Sequence, residues 1–194
     1  MTPTQLELEF EWRGLRLSGG LWLPDGTPPY PAVLMLQGSG PSDRDNDGYF
    51  PPLRAALVAR GLAAYAFDKP GTGRSEGDWR DYGLEDRADQ AIAALDMLRA
   101  RPEVDAGRVG LFGHSQGGWL VQMLAGRLPD LAFAITSSGP SINLDEQNLY
   151  GCEHTMRAAG HPEEHIQQTL AFLHTAHAAA RRGDDFATIE RDWL

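Results

Sequence analysis

The 194 residues carry 17 basic and 27 acidic side chains, a net charge of −10, with 42% apolar and 23% charged residues. A chain of this length buries roughly 70% of its unfolded surface, so it needs no disulfide scaffold, and its apolar content excludes wholesale disorder. A surface of this sign repels phosphates, so neither nucleic acid nor an anionic membrane is expected as a partner. The single cysteine, Cys152, cannot pair within the chain, which fits a reducing cytoplasmic setting. The N-terminal residues lack the basic and apolar blocks of a secretory signal. Apolar runs such as Leu62 to Phe67 fall far short of the ~20 residues of a spanning helix.

In chain order, Leu6, Leu8 and Phe10 alternate with Glu7, Glu9 and Glu11, the period-two pattern of a half-buried strand. Leu15 to Leu23 continues in that style, so the first two strands are expected to pair antiparallel. Pro24-Asp25-Gly26 and Pro28-Pro29 then break the pattern. Ala32 to Leu36 is a continuous apolar run, as in a strand buried on both faces. Pro52 to Arg60 reads as a helix stopped by Gly61, and Leu62 to Phe67 as a second buried strand. Leu84 to Arg101 is a helix with Leu84, Ala88, Ala91, Ile92, Leu95 and Leu98 on one stripe, ended by Pro102. Arg108 to Phe112 is a third buried strand, Gln116 to Leu128 a third helix and Ala132 to Ile135 a fourth buried strand. Strands alternating with helices in this way predict a doubly wound α/β fold with a mostly parallel sheet. Residues 143–194 contain no strand pattern and read as two or three helices, one starting at Pro162 with Glu163 and Glu164 in its first turn.

Gly113-His114-Ser115-Gln116-Gly117 is a G-x-S-x-G sequence lying between a predicted strand and a predicted helix. In that context a serine stands on a sharp, strained turn, and the flanking glycines remove side chains that would clash there. Its hydroxyl is exposed at the carboxyl end of the sheet, where open α/β folds bind ligands, beside the free N–H groups of a helix start.

Two further motifs follow strands in the same way. Leu36-Gln37-Gly38-Ser39-Gly40-Pro41-Ser42-Asp43-Arg44-Asp45 follows the first buried strand, and Asp68-Lys69-Pro70-Gly71-Thr72-Gly73-Arg74-Ser75 follows the second. With these three motifs in order, the chain from about Gln5 to Asn143 resembles the α/β-hydrolases, in particular esterase and dienelactone-hydrolase-like members. The resemblance implies that Ser115 is the nucleophile and that the backbone N–H groups of Ser39 and Gln116 form an oxyanion hole. Gln37, Gly38, Gly113, His114, Gly117, Asp68, Gly71 and Gly73 would be the supporting loop residues. Gln37 departs from the family pattern, which usually has histidine there. The implied activity is hydrolysis of a small ester or related acyl compound through an acyl-enzyme, with no cofactor and no metal.

In that family an acid and then a histidine follow the nucleophile on late strands. Six strands can be counted here against eight in the full fold, and the chain closes in helices that resemble a cap. The expected organisation is therefore an α/β-hydrolase core over 1–142 without its last strands and a helical cap or lid segment over 143–194, with little activity on its own. His154, His161, His165, His174 and His177 lie on the cap-like helices and read as solvated polar faces. His114 reads as orienting the elbow. A different outcome is a non-catalytic protein on the same scaffold, in which the strand Ala132–Thr136, left as an open edge, pairs with a second copy or a partner segment.

Two metal-like patterns fail on inspection. Asp43 to Gly48 begins like a calcium loop, but Arg54 occupies the position that needs a bidentate glutamate. His161-Pro162-Glu163-Glu164-His165 matches H-x-x-E-H, but Pro162 puts His161 at the helix start rather than within the helix. Gly71-Thr72-Gly73 lacks the remainder of a dinucleotide fingerprint.

Overall fold

The computed structural model describes residues 4–185, 187 and 189. The first three residues of the N-terminal stretch and the end of the expected cap segment lie outside the described residues. The chain divides into two compact units, Met1–Gly139 and Pro140–Leu194.

The first unit opens with a hairpin. Strands β1 (Thr4–Trp12) and β2 (Leu15–Leu23) pair antiparallel from Thr4 opposite Leu23 to Trp12 opposite Leu15. The two turn residues, Arg13 and Gly14, have φ of 48° and 78°. Both are left-handed, and a turn of that kind has the twist that the flanking strands require. Phe10 and Trp12 are buried and Leu6 and Leu8 half-buried, while Glu7, Glu9 and Glu11 face solvent. The alternation in the sequence is thus the alternation of the strand.

Four more strands complete the sheet: β3 (Tyr30–Leu36), β4 (Ala63–Phe67), β5 (Val104–His114) and β6 (Ala134–Ser137). Their order is β1-β2-β4-β3-β5-β6. The hairpin joins antiparallel through β2 and β4, and the pairings β4–β3, β3–β5 and β5–β6 are parallel. Helix α1 (Phe50–Val58) covers one face, where Val33, Met35, Ala64, Ala66 and Phe112 pack with Phe50 and Val58. Helices α2 (Leu84–Arg99) and α3 (Gln116–Arg127) cover the other, over Ala32, Leu34, Leu36, Tyr65, Val109 and Leu111. Successive residues of β3 therefore serve opposite cores, and both need apolar side chains. That requirement is why β3 shows no alternation in sequence.

Helix ends follow their sequence signals. After α1, Gly61 adopts φ 87°, its N–H bonds the Val58 carbonyl, and the Leu62 N–H bonds that of Leu57. This 6→1 and 5→2 pair closes the helix at a glycine that can turn left-handed. The predicted stripe of α2 is also present, with Ala88, Ala91, Leu95 and Leu98 buried and Leu84 and Ile92 packed at its margin.

Some boundaries differ from expectation. Helix α1 begins two residues earlier, at Phe50. Strand β5 extends from Val104, because Tyr30 pairs with Val104 before a register shift brings Ala32 opposite Val109. The larger correction is the last strand, expected to be buried over Ala132–Ile135. The regular strand is Ala134–Ser137, and its residues Ala134, Ile135 and Thr136 are exposed. Ala132 and Phe133 already bond to Val109 and Leu111 of β5, but β6 has no strand on its outer side among the described residues. Apolar composition marks a strand; only neighbours bury it.

The second unit contains α4 (Leu144–Ala158) and α5 (Glu163–Arg182). The Asn143 side chain caps α4 by accepting from the Glu146 N–H, and Asp145 and Glu146 sit in its first turn. Gly160 and Gly183, at φ of 76° and 75°, end the two helices. Arg157 ties them together, bonding Glu153 on α4 and Glu163 on α5. No helix among the described residues is long and apolar enough to cross a membrane.

Leu111 lies in the middle of β5 with no solvent exposure, opposite Leu34 and Ala134. Leu111→Ala should lower stability by about 2–5 kcal/mol, because a closely packed core leaves the vacated volume as a cavity. Urea unfolding should show a lower midpoint with an unchanged slope.

Candidate active site

Strands β3, β4 and β5 run parallel, so their carboxyl ends lie along one edge of the sheet. The three loops that leave this edge carry the three motifs: Gln37–Ser39 after β3, Asp68–Ser75 after β4 and Ser115 after β5. Topology alone thus gathers residues separated by up to 78 positions in sequence (115 − 37).

Ser115 stands between the last residue of β5 and the first of α3, at φ 53° and ψ −115°. A left-handed φ on a non-glycine residue is strained and persists only where its surroundings dictate it. Here the surroundings are backbone. A Cβ on Gly117 would lie 2.1 Å from the Leu36 carbonyl oxygen, and one on Gly113 would lie 2.1 Å from the carbonyl oxygen of Gly117. Both glycines of the motif are required by contact. The elbow is pinned further by the Ser115 N–H, which donates to Ser137 at 2.9 Å, and by the Ser115 carbonyl, which accepts from Gly118 at 2.8 Å. Gln116 opens α3, so its N–H belongs to the first turn, which has no intrahelical acceptor.

The loop after β3 lies against this elbow. A Cβ on Gly38 would come within 3.4 Å of both the Ser115 Cβ and the His114 Nδ1. Asn46 links the two, accepting from the Gly38 N–H at 3.1 Å and meeting His114 Nδ1 at 3.0 Å through its Nδ2. Because Asn46 Oδ1 is the acceptor, its amide nitrogen is the donor, and the neutral imidazole carries its proton on Nε2. Tyr49 stacks on the His114 ring at 4.2 Å and its hydroxyl meets Ser137 Oγ at 3.0 Å. Gln37 is fully buried. Its Nε2 donates to the carbonyls of Asp43 and Phe67, tying the β3 loop to the end of β4.

The loop after β4 supplies the charges. Burial alone would raise the Asp68 carboxyl, but hydrogen bonds from the Arg44 side chain and the N–H groups of Arg74 and Arg44, with the Arg44 charge, hold it below the usual carboxylate range. Gly71 and Gly73 adopt φ of 74° and 51°, and Gly73 passes so close to the Asp68 carboxylate that a Cβ would lie 2.3 Å from its carbon. Lys69 is fully buried and donates through Nζ to the carbonyls of Gly38 and Gly40, the second at 2.7 Å. Burial, reinforced by the Arg87 charge and opposed by Asp47, pushes this lysine down to about 7. Arg87 of α2 is itself buried, which pushes it down to about 10, and donates to Gln116 Oε1 at 3.2 Å.

The sequence motifs assign no role to Lys69, Arg87 or Asn46. Lys69 was visible as a charge set directly on the carboxyl end of a buried strand. Arg87 was visible one residue from Ala88, on the margin of the apolar stripe. Asn46 carried no signal beyond its place in the misleading calcium-like pattern. That pattern is resolved by its contacts: Asp45 accepts from Arg54 and Asp43 from the Asp45 N–H. No group of three or more potential metal ligands occurs among the described residues. In the second unit His154, His161, His165 and His174 are exposed, and His177 is half-buried with Nδ1 3.6 Å from Asp145 Oδ1.

The Lys69 shift has a consequence for stability. The unfolded chain holds this proton up to the ordinary value of 10.5, the folded chain only to about 7. Between those values the unfolded state binds more protons, so stability rises with pH; below about 7 the full cost of burying the ammonium is present. Urea unfolding at pH 7 and pH 9 should show a smaller gain for Lys69→Met than for the unmodified chain.

The family model for X-Pro dipeptidyl-peptidases of the S15 family matches residues 13–191. Esterase EstD of Thermotoga maritima is 30% identical over 116 residues, covering 57% of this chain and 27% of that protein. A monoacylglycerol lipase of Mycolicibacterium smegmatis is 30% identical over 132 residues, covering 67% and 44%. The crystal structure of 2,6-dihydroxy-pseudo-oxynicotine hydrolase superposes with a TM-score of 0.64 at 27% identity, over 77% of this chain and 40% of that one. The chain spans less than half the length of these relatives. With the S15 model matching from the β-hairpin turn into the C-terminal helical unit, the chain belongs to the X-Pro dipeptidyl-peptidase (S15) family and has the α/β-hydrolase fold.

Proposed function

We propose that the chain provides the nucleophile and oxyanion hole of a serine hydrolase of carboxylesterase type, acting on a small ester or related acyl compound. The observation that carries this reading is the strained Ser115, at φ 53°, on a turn built from backbone contacts between β5, α3 and the end of β3. Ser115 Oγ attacks the substrate carbonyl, and the Ser39 and Gln116 N–H groups receive the negative charge on its oxygen. Each such donor contributes on the order of 3 kcal/mol to lowering the barrier. The tetrahedral species expels the alcohol and leaves an acyl group on Ser115, which water then removes. His114 is the only histidine of residues 4–139. Its Nδ1 is held by Asn46, so it orients the turn; in the family pattern the Oγ proton goes to a histidine that follows the nucleophile on a late strand. The ester class rests on the esterase and lipase relatives. A fluorophosphonate probe should label the unmodified chain, and Ser115→Ala should reduce labelling to background. Equal labelling of the two would overturn the assignment.

A second reading concerns assembly. Strand β6 is one of the two outer strands of the described sheet, the other being β1 of the hairpin, and Ile135 on it is 48% exposed. An open edge offers unpaired N–H and C=O groups to another chain, so a second copy would pair along Ala134–Ser137. Light scattering should then find a dimer that Ile135→Lys disperses. A monomer at all concentrations would exclude it.

A further inference from the structure

Two buried cations bond to residues of the candidate oxyanion hole or its loop, Lys69 to the Gly38 and Gly40 carbonyls and Arg87 to the Gln116 side chain, and neither has a role in the chemistry above. Lys69 has no carboxylate within hydrogen-bond reach among its described contacts; its Nζ partners are the carbonyl oxygens of Gly38 and Gly40. Of the charges that act on it, Arg87 repels the ammonium and Asp47 attracts it. Such a group is expensive to bury, and neutral donors can satisfy carbonyls at lower cost. Its position relative to one peptide bond accounts for the charge. The carbonyl of Gly38 and the N–H of Ser39 belong to the same planar unit and, in a trans peptide, point in opposite directions. Fixing the oxygen on Lys69 fixes the direction of the N–H. While Lys69 is protonated, its charge-assisted bond to the oxygen is also stronger than a neutral one and draws electron density from the nitrogen, making the N–H a better donor. The N–H of Gly38 is held by Asn46 on the other side, so this residue is gripped at both ends.

The geometry points to Lys69 as a positioning residue of the hydrolytic site: by holding the Gly38 and Gly40 carbonyls it aims and polarises the Ser39 N–H that receives the oxyanion. Arg87 serves the other donor by anchoring the Gln116 side chain. The inference rests on the reading of Ser115 as nucleophile, and the experiment separates the two.

The full chain, Ser115→Ala, Lys69→Met and Lys69→Gln are compared for the rate of fluorophosphonate labelling and for the amide nitrogen resonance of Ser39, with circular dichroism as the check of folding. Lys69→Gln keeps one neutral donor and serves if the methionine variant does not fold. Labelling that survives Ser115→Ala defeats the nucleophile reading itself. With Ser115-dependent labelling established, Lys69→Met should label at least about tenfold more slowly and shift the Ser39 resonance, as expected when an oxyanion donor is weakened. Lys69→Gln should fall between it and the unmodified chain. A folded variant that labels at the unmodified rate, with the Ser39 resonance in place, overturns the role of Lys69.

Discussion

The closest constraint in the molecule is between main chains. The turn that carries Ser115 passes so near the end of β3 that residue 117 has no room for a Cβ beside the Leu36 carbonyl, and residue 113 none beside residue 117. With those side chains removed, strand β5 can run directly into α3, and the residue between them takes the one conformation that closes the corner. The strain at Ser115 is a small local cost, of order 1–3 kcal/mol, imposed by packing on both sides. It leaves the side chain half-exposed beyond the edge of the sheet while the backbone around it is buried.

Around that corner the structure spends polar and charged groups where most cores have none. Gln37, Asn46, Asp68, Lys69 and Arg87 are all buried. Four of them hold loops: Gln37 and Lys69 tie the β3 and β4 loops together, Asp68 is clamped by Arg44, and Asn46 joins the β3 loop to the elbow. Loops at a sheet edge have few apolar contacts to hold them, and hydrogen bonds in a low dielectric substitute for that packing. The same low dielectric makes it costly to bury Lys69 and Arg87, whose side chains donate to carbonyl and amide oxygens rather than to a carboxylate.

The family name and two of the relatives draw attention to different bonds, an X-Pro peptide in one case and esters in the esterase and the lipase. In serine hydrolases generally one nucleophile and one oxyanion hole can serve either reaction, because the carbonyl carbon and its developing oxyanion are common to them. What discriminates between substrates is the wall of the pocket, which a shared fold does not set.

The sequence by itself determined the fold class, the order of strands and helices along the chain, the hairpin, the helix stops and the sharp strand-to-helix turn at Ser115. Each of these depends on periodicity or on glycine, proline and cap residues acting over a few positions, as Gly61 and the β1 alternation illustrate. Tertiary structure decided what those local rules do not encode. The exposure of β6 depends on whether another strand lies beside it, although Ala132–Ile135 is as apolar as a buried strand. The work of Lys69 depends on a loop 31 residues earlier in the chain (69 − 38), and that of Arg87 on a side chain 29 residues later. Side-chain charge can be read from a sequence, but the partner that gives it meaning is brought there by the parallel crossing of the strands.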